Sequence, residues 1–295
     1  MSQPDLTSIT PTLCALLGIE PPALAQSSAF EQVLAAKQAA IGDKAVERLL
    51  IFAPDALGRW LMRKYAGLYR VTFKRVAPVS VQLLSVVPTV TPVCFSSIFT
   101  GAYPWQHGIT KYERPLQRTD SFFDALVRAG KSCAIVAVKD CSMDIIFRER
   151  AIDYFSEADD AAVCARGLAL IKASQHDVVV VYQQGYDDML HMTVPESDEC
   201  LAALAVHMAS FRQLSNAARQ SWGKGIWPTK IAKYIPTGFR HAPDSPLRPR
   251  DWAVCFIPDH GSHIDPESGK GTHGSDRPED MELTHWWGIH KSAEL

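Results

Sequence analysis

Asp55, Asp187, His191, Asp259, His260 and His273 are residue types that hold divalent cations, and each stands where a strand-like run should end. Carboxylate oxygen and imidazole nitrogen together suit zinc, with manganese as the alternative. A single Asp at a strand end is commonly an Asx turn or a helix cap. Three of them in the same setting point instead to a shared task. Asp187 and His191 are four apart at the start of a helical turn, so both project the same way. Asp188 is the competing carboxylate, readable as a helix-start charge or a partner of a ligand; Asp187 is preferred. Asp259-His260-Gly261 closes the most apolar C-terminal strand. Neighbouring strand side chains face opposite ways, so both can meet one ion only if the backbone turns, which Gly261 permits. His273-Gly274 follows in the loop SGKGTHGSD, and His263 is a lower-ranked alternative.

Thr91-Pro92 opens an apolar helix, Val93 to Phe99, that ends at Gly101. A Thr N-cap with Pro at the first helical position is an ordinary helix beginning. A helix N-terminus also favours a phosphate, and a threonine hydroxyl beside a divalent cation loses its proton readily and attacks phosphorus. Pro92 has no N–H, so other donors must serve the phosphate.

The elements that would position these residues are short apolar runs separated by helical stretches. The runs are 49–53, 81–87, 134–138, 178–182 and 253–257. Strands apolar on both faces belong to a mainly parallel sheet covered by helices. The expected fold class is therefore α/β, a three-layer sandwich whose ligands gather beyond the carboxyl ends of the strands. Residues 120–128 and 159–173 have helix composition, with Gly130 as a stop, and two further helices are expected near 11–17 and 30–41, the first capped by Thr10-Pro11. Residues 195–250 form a long insertion, helical from 196 to 219 and then rich in Pro, Trp and basic residues such as Trp227, Tyr234 and Arg240. Such a segment in a compact domain reads as a small lid or pocket wall.

A chain of 295 residues with 47% apolar residues fits one large α/β domain spanning 1–295. A net charge of −2 excludes the basic stripe of a general nucleic-acid binder. No apolar stretch reaches the ~18 residues of a membrane span. The opening MSQPDLTSIT lacks a basic segment followed by an apolar one, and the seven scattered cysteines read as reduced core residues, so a cytoplasmic enzyme is expected.

The segment PTVTPVCFSSIFTGAYPWQHGI resembles the nucleophile region of the alkaline phosphatase superfamily, in particular its type I phosphodiesterase/nucleotide pyrophosphatase branch. There a Pro-Thr-x-Thr stretch leads to Thr-Gly and then Tyr-Pro-x-x-His-Gly-Ile; the spacing back from Gly101 selects Thr91. A sulfatase would carry Cys or Ser at that position, and Cys94 stands elsewhere. PDALG, DDMLH, PDHG and THG extend the resemblance over residues 50 to 275. It implies an alkaline phosphatase-like fold and two divalent metal ions, one held by Asp187, His191 and His273, the other by Asp55, Thr91, Asp259 and His260. It implies hydrolysis of a phosphoric ester or anhydride bond in a small substrate through a phosphothreonine at Thr91. A phosphonate hydrolase, a phosphomonoesterase and a catalytically silent metal-binding member are the alternatives. The branch has a phosphate-binding Asn shortly after His-Gly-Ile; this chain has Thr110-Lys111-Tyr112, so Lys111 or Tyr112 is a candidate replacement. His107 reads as holding a turn. Lys139 and Asp140 end a strand on the ligand edge and read as a surface turn within reach of substrate. Lys270, Arg277 and Trp286-Trp287 are candidate pocket residues, the tryptophans more naturally core.

Overall fold

The computed structural model describes residues 3–224 and 248–292. Strands β1 (Arg48–Pro54), β2 (Val79–Leu84), β3 (Cys133–Val138), β4 (Asp153–Glu157), β5 (Val178–Gln183) and β6 (Trp252–Phe256) precede a small antiparallel ribbon of β7 (His263–Ile264) and β8 (Gly271–Thr272), and β9 (Glu282–His290) follows. The main sheet has the order β2-β9-β6-β1-β5-β3-β4. β1 pairs in parallel with β5 and β6, β3 with β4 and β5, and β9 runs antiparallel between β2 and β6.

Alternation along the central strands builds two cores. Leu49, Ile51 and Ala53 of β1 face one, beneath the helices Ile9–Leu17, Glu31–Ile41, Thr91–Thr100 and Phe122–Arg128. Leu50 and Phe52 face the other, beneath Arg70–Val76, Asp160–Ala173, Gly185–Met192 and Asp198–Ala218. This is the α/β three-layer sandwich with a mainly parallel sheet that the short apolar runs predict. Because β6, β1 and β5 are adjacent and parallel, the residues that follow them emerge side by side on one edge of the sheet.

Several local readings change. β2 begins two residues early and ends at Leu84, with one further bond towards β9 from the Ser85 N–H to the Met281 carbonyl at 2.7 Å. β4 and β9 had no signal in the sequence: DYFSE is a half-exposed edge strand and ELTHWWGIH does not alternate. The first helix does not start at a Thr10-Pro11 cap. Asp5 accepts from the Thr7 N–H, the helix proper runs from Ile9, and the Thr10 hydroxyl donates to the Ile98 carbonyl at 2.6 Å. Pro11 then falls in the first turn, where no amide is needed. The seven cysteines are buried and free.

Trp287 is fully buried and meets Phe30 edge-on at 5.9 Å, while Trp286 packs on Tyr69 and Phe73. Both tryptophans are therefore packing residues of β9. The helical half of the 195–250 segment is a layer of the sandwich: Leu204, Phe211 and Leu214 lie in the second core. Trp227, Tyr234 and Arg240, in its other half, lie outside the described residues. Among the described residues no helix is long and apolar enough to cross a membrane.

Candidate metal centre

Asp55 stands one residue past β1, and its backbone N–H is still held by the Gln183 carbonyl at 3.0 Å. The next residue, Ala56, has φ +60, a left-handed turn that an L-residue adopts at a cost. The Ala56 N–H donates to Asp259 Oδ1 at 3.3 Å, so the turn after β1 is tied to the residue that follows β6. Asp187 and His191 lie on the helix Gly185–Met192 that follows β5. His273 follows β8.

The structure brings these residues together as two groups of three. Asp187, His191 and His273 form one group and Asp55, Asp259 and His260 the other; within each, one ligand atom per residue lies within 4.8 Å of the others. Asp187 is 3.2 Å from His273 Nε2 and 3.4 Å from His191 Nε2. His260 Nε2 is 3.4 Å from Asp55 Oδ1 and 3.3 Å from Asp259 Oδ2. Thr91 joins the second group: its Oγ1 is 3.3 Å from Asp55 Oδ2 and 3.5 Å from His260 Nε2. The His260 and His273 rings stack at 4.1 Å between centroids, which links the two groups.

The donor set fits divalent cations for a reason independent of residue type. His273 Nδ1–H donates to the Thr89 carbonyl at 2.8 Å and His260 Nδ1–H to the Gly261 carbonyl at 3.0 Å. As a neutral metal ligand each ring would therefore turn an Nε2 lone pair inward, and His260, held neutral by burial, does so here. The oxygens that the His260 lone pair meets, Asp55 Oδ1 and Asp259 Oδ2, are buried and have no hydrogen-bond partner. Lone pairs facing lone pairs in a buried site repel unless a cation lies between them.

The ionisation of the groups carries the same frustration. Burial, reinforced by the charge of Asp187, pushes Asp55 up to about 7, although the Tyr182 hydroxyl donates to it. Burial and the charge of Asp55 hold Asp259 well above the carboxylate range. Burial opposes ionisation of Asp187 too, yet His191 and His273 outweigh it and hold its carboxyl low. Burial likewise opposes protonation of His273, but Asp187 lifts it to about 9. Burial and the neighbouring His273 push His260 down to about 3. Such divergent values in one cluster mark a site built for charge that the side chains alone do not balance.

Gly261 has a role other than turning. Its φ is not positive; a Cβ there would lie 2.0 Å from the Glu279 carbonyl oxygen and 2.8 Å from Gly58 Cα. Backbone presses on backbone directly behind His260. Gly261→Ala is expected to cost about 3 kcal/mol by overpacking and to weaken metal uptake, measured by urea unfolding and by metal content.

At the start of the Thr91–Thr100 helix, Val90 rather than Thr91 is the cap, and its carbonyl accepts from both the Val93 and Cys94 N–H groups at 3.0 Å. With Pro92 lacking an amide, the helix start offers a phosphate fewer donors than a Thr-capped helix would. His107 holds the turn beyond it, donating from Nε2 to Ser97 at 3.0 Å and accepting from the Ile109 N–H at 3.2 Å.

A cleft of about 160 Å³ opens from Asp55, Thr91 and Asp187 towards Tyr112, Arg114, Lys139, Asp140 and Asp188. Lys111 does not line it and pairs with Glu113 at 2.6 Å. Lys270 and Arg277 do not line it either. His263 is not in either ligand group; its Nδ1 meets Asp280 at 2.7 Å. Three residues were missed in the sequence. Tyr182 donates to Asp55 from the neighbouring strand. Thr89 holds His273 through its carbonyl and Gly274 through its hydroxyl, and it is the first Thr of the PTVT stretch. Arg114 reaches the cleft with Nη1 on the Asp140 carbonyl, a pairing across distant loops that no spacing reveals.

The family model for type I phosphodiesterase / nucleotide pyrophosphatase matches residues 49–223, more than half of the chain, ending before Asp259. Among solved structures, phosphonoacetate hydrolase from Sinorhizobium meliloti 1021 in complex with phosphonoacetate is similar at 17% identity and a TM-score of 0.50, over 74% of this chain and 57% of that one. Human ectonucleotide pyrophosphatase / phosphodiesterase 5 is 17% identical with a TM-score of 0.49, over 75% of this chain and 59% of that one. This chain thus spans less than two thirds of either structure's length. No curated protein matches it. With a matching family model over strands β1 to β5, the chain belongs to the type I phosphodiesterase / nucleotide pyrophosphatase family.

Proposed function

We propose that this protein is a two-metal hydrolase of phosphoric ester or anhydride bonds that works through a phosphothreonine at Thr91. The observation that carries this reading is the set of unpartnered Asp55 and Asp259 oxygens and the bare His260 Nε2 gathered at the Thr91 hydroxyl. One cation would be held by Asp187, His191 and His273, the other by Asp55, Thr91, Asp259 and His260, with zinc the best match to the mixed donors and manganese second. Two bound divalent ions supply Lewis acidity at the phosphoryl oxygens and lower the pKa of the threonine hydroxyl.

The residues do the rest. Asp55, which accepts from Tyr182 and from Thr91, fixes the direction of Thr91 Oγ1. The Oγ1–phosphorus bond forms as the bond to the leaving oxygen breaks, and water then displaces Thr91 from phosphorus. Arg114 and Lys139 bring positive charge to the mouth of the cleft and replace the donors that Pro92 and the missing Asn do not supply. The Arg114→Glu variant is expected to raise KM for an aryl phosphate about tenfold with kcat less affected, read from steady-state kinetics.

The deciding experiment combines metal analysis with turnover of a bis-aryl phosphate, a mono-aryl phosphate and a phosphonate. Two ions per chain and turnover that disappears on chelation and returns with zinc or manganese support the proposal. Preference for the diester assigns the phosphodiesterase type; preference for either other substrate moves the assignment to the corresponding hydrolase. A protein that takes up no metal and turns over none of the three is the catalytically silent alternative.

A further inference from the structure

One Asp–His contact, its histidine fully buried, sits apart from the two ligand groups. Asp160 opens the helix Asp160–Ala173, and its carboxylate reaches across to the start of the helix Gly185–Met192. Oδ1 accepts from the Gln184 N–H at 3.1 Å and Oδ2 from the Gly185 N–H at 2.9 Å. The Gln184 side chain makes no capping bond, so Asp160 caps this helix from outside. His207, fully buried in Asp198–Ala218, meets Asp160 Oδ2 from Nε2 at 3.0 Å, and its Nδ1 has no hydrogen-bond partner. The Asp160 carbonyl also accepts from Gln183 Nε2 at 2.7 Å. Gly185 is required for this approach, since a Cβ there would lie 2.6 Å from Asp160 Oδ2.

The capped helix carries Asp187 and His191. It is short, so a tilt at its start displaces both side chains relative to His273, which comes from a separate loop. The ligands of the other group follow β1 and β6, and none of them belongs to the capped helix. From this geometry we infer that Asp160 and His207 are positioning residues that set the affinity of the Asp187–His191–His273 site alone. This rests on the two-metal reading above. The helix that supplies His207 lies in the segment inserted after the Asp187–His191 helix, so that segment would tune one ion and leave the other unaffected.

The test is zinc titration of the metal-free full chain by competition with a chromophoric chelator, for wild type, Asp160→Asn, His207→Leu and His207→Gln. Hydrogen exchange at Gln184 and Gly185 is followed in the same metal-free proteins. The expected result is two ions in the wild type and, in Asp160→Asn and His207→Leu, one ion bound about 10- to 100-fold more weakly with the other unchanged. His207→Gln, whose amide can still donate to Asp160, should restore most of the lost affinity. Exchange at the two amides should quicken in Asp160→Asn before any metal is added. Wild-type affinity at both sites in Asp160→Asn and His207→Leu, or parallel weakening of both sites, would overturn the inference. A wild-type protein that binds fewer than two ions would instead remove the metal reading beneath it.

Discussion

Thr91→Ala is expected to bind both metal ions and to lose turnover by a factor on the order of 10⁴ or more. The Oγ1 of Thr91 is in contact with both Asp55 and His260, and the Asp55 oxygen it faces also receives the Tyr182 hydroxyl. Removing it leaves the three carboxylates and three imidazoles in place, so metal content should hold while chemistry fails. A Thr91→Ser variant keeps the nucleophilic oxygen and should retain part of the rate. Rapid-quench labelling with a radioactive aryl phosphate should trap phosphate on the wild-type chain and on the Thr91→Ser variant, and none on Thr91→Ala. Full turnover in Thr91→Ala would falsify the nucleophile assignment.

Metal removal should have the second large effect, on stability, and the effect should depend on pH. Asp55 is lifted from the ordinary carboxylate range to about 7 by burial and by Asp187, and Asp259 is raised in the same direction. A carboxyl whose folded pKa lies above its unfolded value favours the folded chain when protonated. For these groups the metal-free protein therefore loses stability as pH rises from about 4 through 7. Cations bind the ionised carboxylates, so metal stabilises most at the upper end of that window and releases protons there. At a free zinc concentration about 1,000 times Kd the gain per site is about 4 kcal/mol at roughly pH 8. Thermal unfolding with and without zinc at about pH 5 and pH 8 checks this: the difference should shrink at the lower pH. An equal shift at both pH values would separate metal binding from Asp55 and Asp259.

What could be read from the sequence followed from where chemistry meets secondary structure. Asp55, Asp187 and Asp259 were visible because short apolar runs end just before them, and the parallel sheet places those ends side by side. The helices 122–128 and 160–173 were visible through their composition and the Gly130 stop, while their starts are set by the Ser121 and Asp159 side chains that cap them. The rest depended on pairing that periodicity does not encode. Tyr182 sits beside Ala53 in the register of β1 and β5, and only that register brings its hydroxyl to Asp55. β9 had no readable alternation because its faces are covered unequally, with Trp287 buried on one side and Trp286 only partly on the other. Gly261 suggested a sharp turn, but the requirement is backbone-to-backbone contact with Gly58 and Glu279, contributed by segments far apart in sequence.

Each ligand group draws on both sides of the segment between residues 195 and 250: Asp187 and His191 need His273, and Asp55 needs Asp259 and His260. β6, inserted between β1 and β9, comes from that same C-terminal side. During synthesis, a chain that has reached only residue 224 has β1 as an edge strand, with unpaired amides and carbonyls along one side. It also has Asp55 and Asp187 with no histidine from the later loops to oppose them. On the two-metal proposal, sheet closure and metal competence would therefore arrive together with the C-terminal strands, and cation uptake would report that those strands have been made and have joined the sheet.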